Sequence, residues 1–113
     1  MKIEKSMLTG STPLLILSLL KDEDKYGYQM AIELDNRSDH TFELKEGTMY
    51  PLLHALEKKK YVKSYFQKTP AGRERRYYHL TEDGKAYLAA KTEEWKFFTE
   101  KVNKVIGVAP CAM

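Results

Sequence analysis

A chain of 113 residues with 42% apolar residues and a formal charge of +3 has room for one small core and one appendage. Its longest apolar run, Leu14 to Leu20, is interrupted by Ser18 and is far too short to cross a bilayer. The single cysteine, Cys111, has no partner for an internal disulfide, and residues 1–7 carry Lys2, Glu4 and Lys5 instead of the apolar stretch of a signal peptide, so a cytoplasmic location is expected.

The charge is unevenly spread. Lys45 to Leu80 holds nine Lys/Arg against three acids, whereas the remaining residues carry ten Lys/Arg against thirteen acids. A basic block of this kind fits a polyanion partner, because each neutralised phosphate releases condensed counterions. Charge alone fits a solvated basic face equally well.

In chain order, a first helix is expected to start at Ser11 or Thr12, with Pro13 in the first turn, where its missing N–H costs little. Leu14, Leu15, Ile16, Leu17, Leu19 and Leu20 make it apolar nearly all round, and therefore buried. Whether helix also runs back through Met7 and Leu8 is left open by Gly10 and Pro13. Lys21 to Lys25 reads as a loop, and a second helix runs from about Tyr26 to Asn36. After a turn at Asp39 and His40, Phe42-Glu43-Leu44 alternates as a short strand would.

The third helix has a single inward stripe, Met49, Leu52, Leu53 and Leu56. Its opposite face holds Gly47, Pro51, His54, Ala55 and Lys58, flanked by Thr48 and Tyr50. Small residues let a helix approach base edges closely, while Thr, Tyr, His and Lys can reach bases or phosphates. Pro51 removes an internal hydrogen bond unless the helix begins as late as Thr48. Two alternating runs follow, Val62 to Gln67 and Arg76 to Leu80, joined through the turn residues Thr69-Pro70-Ala71-Gly72 and decorated by Lys68, Arg73, Arg75 and Arg76.

Three helices and then a basic-tipped hairpin make a mainly α winged helix-turn-helix with a small β-hairpin wing. The expected DNA contacts are Gly47, Thr48, Tyr50, Pro51, His54 and Lys58 from the third helix, and Lys68, Arg73, Arg75 and Arg76 from the wing. Beyond this unit, residues 1–80, lies a second one, residues 81–113. Thr81 is a good N-cap, with Glu82 and Asp83 in the first turn. From Gly84 to Ile106 a single helix would extend roughly 35 Å. Leu88, Trp95 and Val102 recur every seven residues, as do Lys91, Phe98 and Val105, a seam that calls for an identical helix from a second chain. Leu88, Trp95, Phe98, Val102 and Val105 are therefore the expected dimer contacts. Trp95 has two readings: packing within that seam, or the wall of a cavity for a planar aromatic effector, with Met7 and Leu14 opposite.

Catalysis has little support. His40, His54 and His79 lie on different elements without Cys or carboxylate at metal-ligand spacing, and no nucleophile–base pairing or phosphate-binding glycine loop stands out. No enzyme activity, metal or cofactor is expected.

The runs Leu14 to Leu20, Tyr26-Gly27-Tyr28, Gly47-Thr48-Met49-Tyr50-Pro51-Leu52-Leu53-His54-Ala55-Leu56-Glu57 and Arg75-Arg76-Tyr77-Tyr78-His79-Leu80-Thr81-Glu82-Asp83-Gly84 resemble the PadR-type regulators, in the expected order and over nearly the whole chain. The resemblance implies a cytoplasmic homodimeric repressor released by a small hydrophobic, phenolic or drug-like molecule, and the two-fold symmetry of such a dimer calls for a palindromic promoter operator. It also implies the shorter subgroup with a single C-terminal helix. Two positions depart from the pattern: Lys60 stands where a glycine usually ends the third helix, and Glu74 interrupts the arginines of the wing. The competing function class is a winged-helix interaction module that offers its basic face to an acidic protein.

Overall fold

The computed structural model describes residues 1–109, and Cys111 lies outside them. Five helices and three strands follow in the order α1 Lys5–Thr9, α2 Thr12–Leu19, β1 Lys25–Tyr26, α3 Gly27–Arg37, α4 Glu46–Lys58, β2 Val62–Lys68, β3 Glu74–Leu80 and α5 Glu82–Ile106. The result is mainly α with a β-hairpin wing.

The N-terminal helix does run back beyond Gly10, as a separate turn. Ser11 Oγ and Thr12 Oγ1 both donate to the Leu8 carbonyl, at 3.0 and 2.8 Å. These hydroxyls tie α1 to α2 instead of capping α2 from its N-terminus. Ile16, Leu17, Leu19 and Leu20 are buried, with Met30 and Leu34 of α3, Met49, Leu53 and Leu56 of α4, and Val62, Tyr78, Leu80 and Leu88. The inward stripe expected of the third helix is thus present on α4.

The segment Lys21–Lys25 is not wholly loop. Lys25 and Tyr26 pair antiparallel with Tyr78 and Tyr77, which makes a three-stranded sheet in the order β1-β3-β2. Lys25 is only 2% exposed. Its Nζ donates to the Leu19 carbonyl at the end of α2, 2.5 Å away, and meets Glu33 Oε2 at 3.3 Å. A cation over the last carbonyls of a helix satisfies an orphan acceptor and complements the helix dipole. A lysine among acids reads as solvated loop, because nothing local signals that a helix end lies above it.

No strand forms at Phe42–Leu44. Leu44 is buried and Phe42 packs against the core, so the alternation reported the direction of the side chains. The segment pairs with none of the three strands of the sheet.

Helix α4 begins at Glu46, two residues earlier than Pro51 would favour. The lost bond leaves the carbonyl of exposed Gly47 to solvent, where it costs little. At the other end, Lys60 takes φ 66°, and the Tyr61 N–H returns to the Leu56 carbonyl at 3.0 Å. This is a left-handed helix stop carried by a residue other than glycine. In the wing, Gly72 (φ 84°) closes a turn in which its N–H reaches the Thr69 carbonyl at 2.9 Å.

The start of α5 is packed against the α4–β2 connection. Thr81 Oγ1 donates toward the Lys60 and Tyr61 carbonyls and accepts from the Gly84 N–H. A side chain at Gly84 would place Cβ 2.0 Å from the Tyr61 carbonyl oxygen and 2.7 Å from Leu80 Cδ1. Since the first of these is backbone, it cannot rotate away. Gly84→Ala is therefore expected to destabilise by about 3 kcal/mol, the upper part of the overpacking range. Gly10→Ala, with nothing within 4 Å and φ −74°, should stay within about 0.5 kcal/mol or gain slightly. Thermal unfolding followed by circular dichroism should show a clearly lowered midpoint for the first and none for the second. Equal midpoints would remove the close approach as a constraint.

Candidate nucleic-acid interface

Two elements present the outward-facing residues of the basic block. Helix α4 exposes Gly47, Thr48, Tyr50, Pro51, His54, Ala55 and Lys58 along the side opposite its buried stripe. Among the described residues, Lys58, Lys68, Arg73 and Arg75 take part in no ion pair. Unneutralised cations of this kind suit phosphate contacts.

The tyrosine of this face is held in place. A Cβ at Gly27 would lie 2.6 Å from Tyr50 Oη. The phenol therefore lies over the first residue of α3, in space that only a glycine leaves, and part of its ring remains exposed. Two motifs singled out separately in the sequence, Tyr26-Gly27-Tyr28 and Gly47-Thr48-Met49-Tyr50-Pro51, meet at this contact.

Strand alternation divides the wing into two faces. Ser64, Phe66 and Lys68 of β2 and Glu74 and Arg76 of β3 share the side of the buried Val62, Tyr78 and Leu80, which is also the α4 side. Phe66, 63% exposed, stands on that side and was not among the expected contacts. Arg75 is on the reverse side, its guanidinium 4.4 Å from the centre of the Tyr26 ring. Arg73 is at the turn. Glu74 is paired in register with Lys68, not with an arginine, which puts an opposite charge beside it across the ladder.

Arg76 is engaged within the protein. Its Nη2 donates to Glu57 Oε1 at 3.0 Å and to Ser64 Oγ at 2.9 Å. Ser64 in turn donates to Glu57 Oε2 from both its hydroxyl, at 2.6 Å, and its backbone N–H, at 3.0 Å. The Ser64 hydroxyl has the largest influence on Glu57. With the Ser64 N–H and the charge of Arg76, it holds the carboxyl below its ordinary range against the opposing effect of burial.

A second polar cluster braces the reverse side of the sheet. Asp24 accepts from the Tyr65 hydroxyl at 2.7 Å, and His79 Nδ1 lies 2.8 Å from its other oxygen. Burial pushes the Asp24 carboxyl up most strongly of any single cause. The Tyr65 and His79 hydrogen bonds, with the His79 charge, outweigh it and leave the group below its ordinary value. Tyr65, Tyr77 and Tyr26 adjoin this cluster, with ring centres 5.8 and 5.5 Å apart.

Glu57, Ser64, Phe66 and Asp24 escaped the sequence reading. Each owes its place to a partner on another element, and no periodicity announces such pairs. Glu57 ends the motif of α4, and that was its only sequence signal.

The residues expected at the chain's other end fall into two groups. Leu88 is 6% exposed and belongs to the chain's own core, because the first turns of α5 lie on α2. Trp95, Phe98, Val102 and Val105 are exposed, as are Phe97 and Ile106. Met7, Leu14 and Trp95 come together in one groove of about 660 Å³, with Tyr87, Phe98 and Val102. No described helix is long and apolar enough to cross a membrane, and the described residues contain no cluster of three metal-ligating side chains.

Residues 16–90 match the model of the transcriptional regulator PadR-like family. A transcriptional regulator of Mycobacterium tuberculosis is 35% identical over 92 residues, covering 81% of this chain and 79% of that protein. A solved transcriptional regulator from Clostridium thermocellum is similar with a TM-score of 0.83 and 34% identity, over 90% of this chain and 96% of its own. A PadR family transcription regulator from Clostridium difficile is similar with a TM-score of 0.76 and 38% identity, over 86% and 99% of the two chains. The family model runs from within α2 through the wing into the first turns of α5, and the chain belongs to the PadR-like family of transcriptional regulators.

Proposed function

We propose that this protein is a homodimeric repressor that acts by binding, without an enzymatic step: it occupies a palindromic operator in the cytoplasm and leaves it when a small aromatic or drug-like molecule binds. The observation that carries this reading is the pairing of an outward α4 face of small and hydrogen-bonding residues with a wing whose turn carries free cations. In this reading Thr48, Tyr50 and His54 read bases in the major groove, with Gly47 and Pro51 allowing close approach. Lys58, Lys68 and Arg73 hold phosphate.

Dimerisation is supported by the distal half of α5. Trp95 is 44% and Val105 86% exposed, on a helix of 25 residues in a molecule 54 Å long. Apolar area of this extent is most simply covered by the same helix of a second copy, related by a two-fold axis. The groove at Trp95 has a volume typical of small-molecule sites and a largely apolar lining. Since it joins α1 and α2 to α5, an effector bound there would shift the dimer helix relative to the DNA-binding unit.

Three measurements test these parts. In fluorescence anisotropy, wild-type protein should prefer a duplex selected from a random pool over random duplex. Thr48→Ala should lose about tenfold of that preference. Lys68→Ala should instead weaken binding to both duplexes alike and lower the salt slope by about one. No preference in the wild type, with binding to acidic proteins instead, would favour the interaction-module reading. Val105→Glu should convert a dimer to a monomer in sedimentation velocity at micromolar concentration, and an unchanged mass would remove the seam. Planar aromatic compounds should quench Trp95, the only tryptophan; constant emission across a broad panel would leave it as seam packing.

A further inference from the structure

The wing is joined to α4 through Lys59–Tyr61 and is otherwise a two-stranded ribbon beyond its short pairing with β1. Its other end runs through Thr81 into α5, beside Tyr61, so both connections lie at its root, and a ribbon held mainly at its root can change angle. A direct cross-link to α4 exists as well: Glu57 of α4, Ser64 of β2 and Arg76 of β3 close a cycle of four hydrogen bonds, one residue from each element. Each polar group in it has a definite role. The Ser64 hydroxyl donates to Glu57 and accepts from Arg76, so one serine bridges the two charges. The Arg76 guanidinium also lies 5.8 and 5.7 Å from the centres of the Phe66 and Tyr78 rings, within cation–π range of both.

We propose that Arg76 is a positioning residue for operator recognition: through Glu57 and Ser64 it holds the wing at one angle to the recognition helix. This rests on the reading of α4 and the wing as the DNA-binding face. Charge-assisted bonds from a planar guanidinium are directional, so the cycle defines an angle as well as a distance. A wing held before binding meets the phosphates in a single register with the base contacts of α4. A swinging wing settles on many sequences with similar affinity. Arg76 therefore contributes to preference among sequences, whereas Arg73 at the turn supplies charge.

Glu57 provides the sharpest discrimination. It is an acid beside a DNA-binding face, and simple electrostatics says that its removal strengthens binding to every duplex. If it positions the wing, its removal weakens the preferred duplex. The test compares Arg76→Gln, Glu57→Gln, the double variant and Arg73→Gln. The probes are a duplex selected by the wild type from a random pool and random duplex, across a sodium chloride series. Arg76→Gln and Glu57→Gln are each expected to lose about tenfold of sequence preference. The double variant should be no worse than either single one, as for residues acting as one unit. The salt slope should fall by about one for Arg73→Gln and stay unchanged for Arg76→Gln.

A slope lowered by about one in Arg76→Gln, with Glu57→Gln binding the selected duplex as well as wild type, would overturn the proposal and make Arg76 a phosphate contact. A readout without DNA separates this from the reading it rests on. Spin labels at His54→Cys and Ala71→Cys, in a Cys111→Ser background, should give a narrow distance distribution that broadens in Arg76→Gln. An unbroadened distribution overturns the proposal even where the wild type prefers its duplex. Wild-type protein without sequence preference would overturn the DNA-face reading itself, and the role in recognition with it. Should a charge variant fail to fold by circular dichroism, Ser64→Ala keeps both charges and removes the bridging hydroxyl. It should lose preference in the same direction, and an unchanged preference would also overturn the proposal.

Discussion

The contact between Gly84 and the backbone of Tyr61 fixes the relation between α4, the wing and the long helix that leads away from them. Tyr61 occupies the short link between α4 and β2, and its carbonyl accepts from Thr81 while the Cα of Gly84 closes over it. The same residue stacks its ring on Tyr87 one turn further along α5, with centres 4.2 Å apart. The end of α4, the root of the wing and the base of α5 therefore share one residue. Movement of α5 cannot be absorbed there without moving the others, because a backbone-to-backbone contact has no side chain to rotate. In the function proposed above, this is how an event at Trp95 would reach α4.

Around that junction, polar groups do what apolar packing in so small a core cannot. Lys25 closes the end of α2 from within, Asp24 ties the strand entering the sheet to Tyr65 and His79, and Glu57 ties α4 to both wing strands. Asp24 and Glu57 join elements distant in sequence, and each of these carboxylates is satisfied by more than one donor. Hydrogen bonds to ionised groups are stronger than neutral ones and more directional. They give a domain with few buried layers a defined arrangement of its surface elements. This explains why an arginine in a basic wing is turned inward: the charge is used to place the wing.

Much of the architecture was readable because it follows from local periodicity. The stripe Met49–Leu53–Leu56 put α4 in the core and its small, polar side outward. Turn chemistry at Thr69–Gly72 placed the hairpin, and Thr81 with its two acids placed the start of α5. The positive φ of Lys60 followed from a helix stop that the surrounding pattern required, whatever residue filled it. Errors arose where a residue's role depended on another element. Lys25 read as loop because its partners are the end of α2 and a glutamate of α3. Phe42–Leu44 read as a strand because alternation shows facing, while pairing depends on a neighbouring strand that alternation does not reveal. Leu88 kept heptad spacing with Trp95 and Val102, yet lies in the chain's own core, since spacing does not reveal where α2 ends and the exposed part of the helix begins.

The sequence by itself determined the order of elements, the face of α4 turned outward and the apolar stripe along α5, because these depend only on which residues recur at helical or strand spacing. Tertiary structure alone decided how each cation of the wing is engaged. Arg73, Arg75 and Arg76 look alike as neighbours in a basic run. Folding leaves the first at the wing's turn, lays the second over Tyr26 and commits the third to Glu57. The reason is geometric: strand alternation sends adjacent arginines to opposite faces, and what waits on each face comes from parts of the chain no local pattern can bring together.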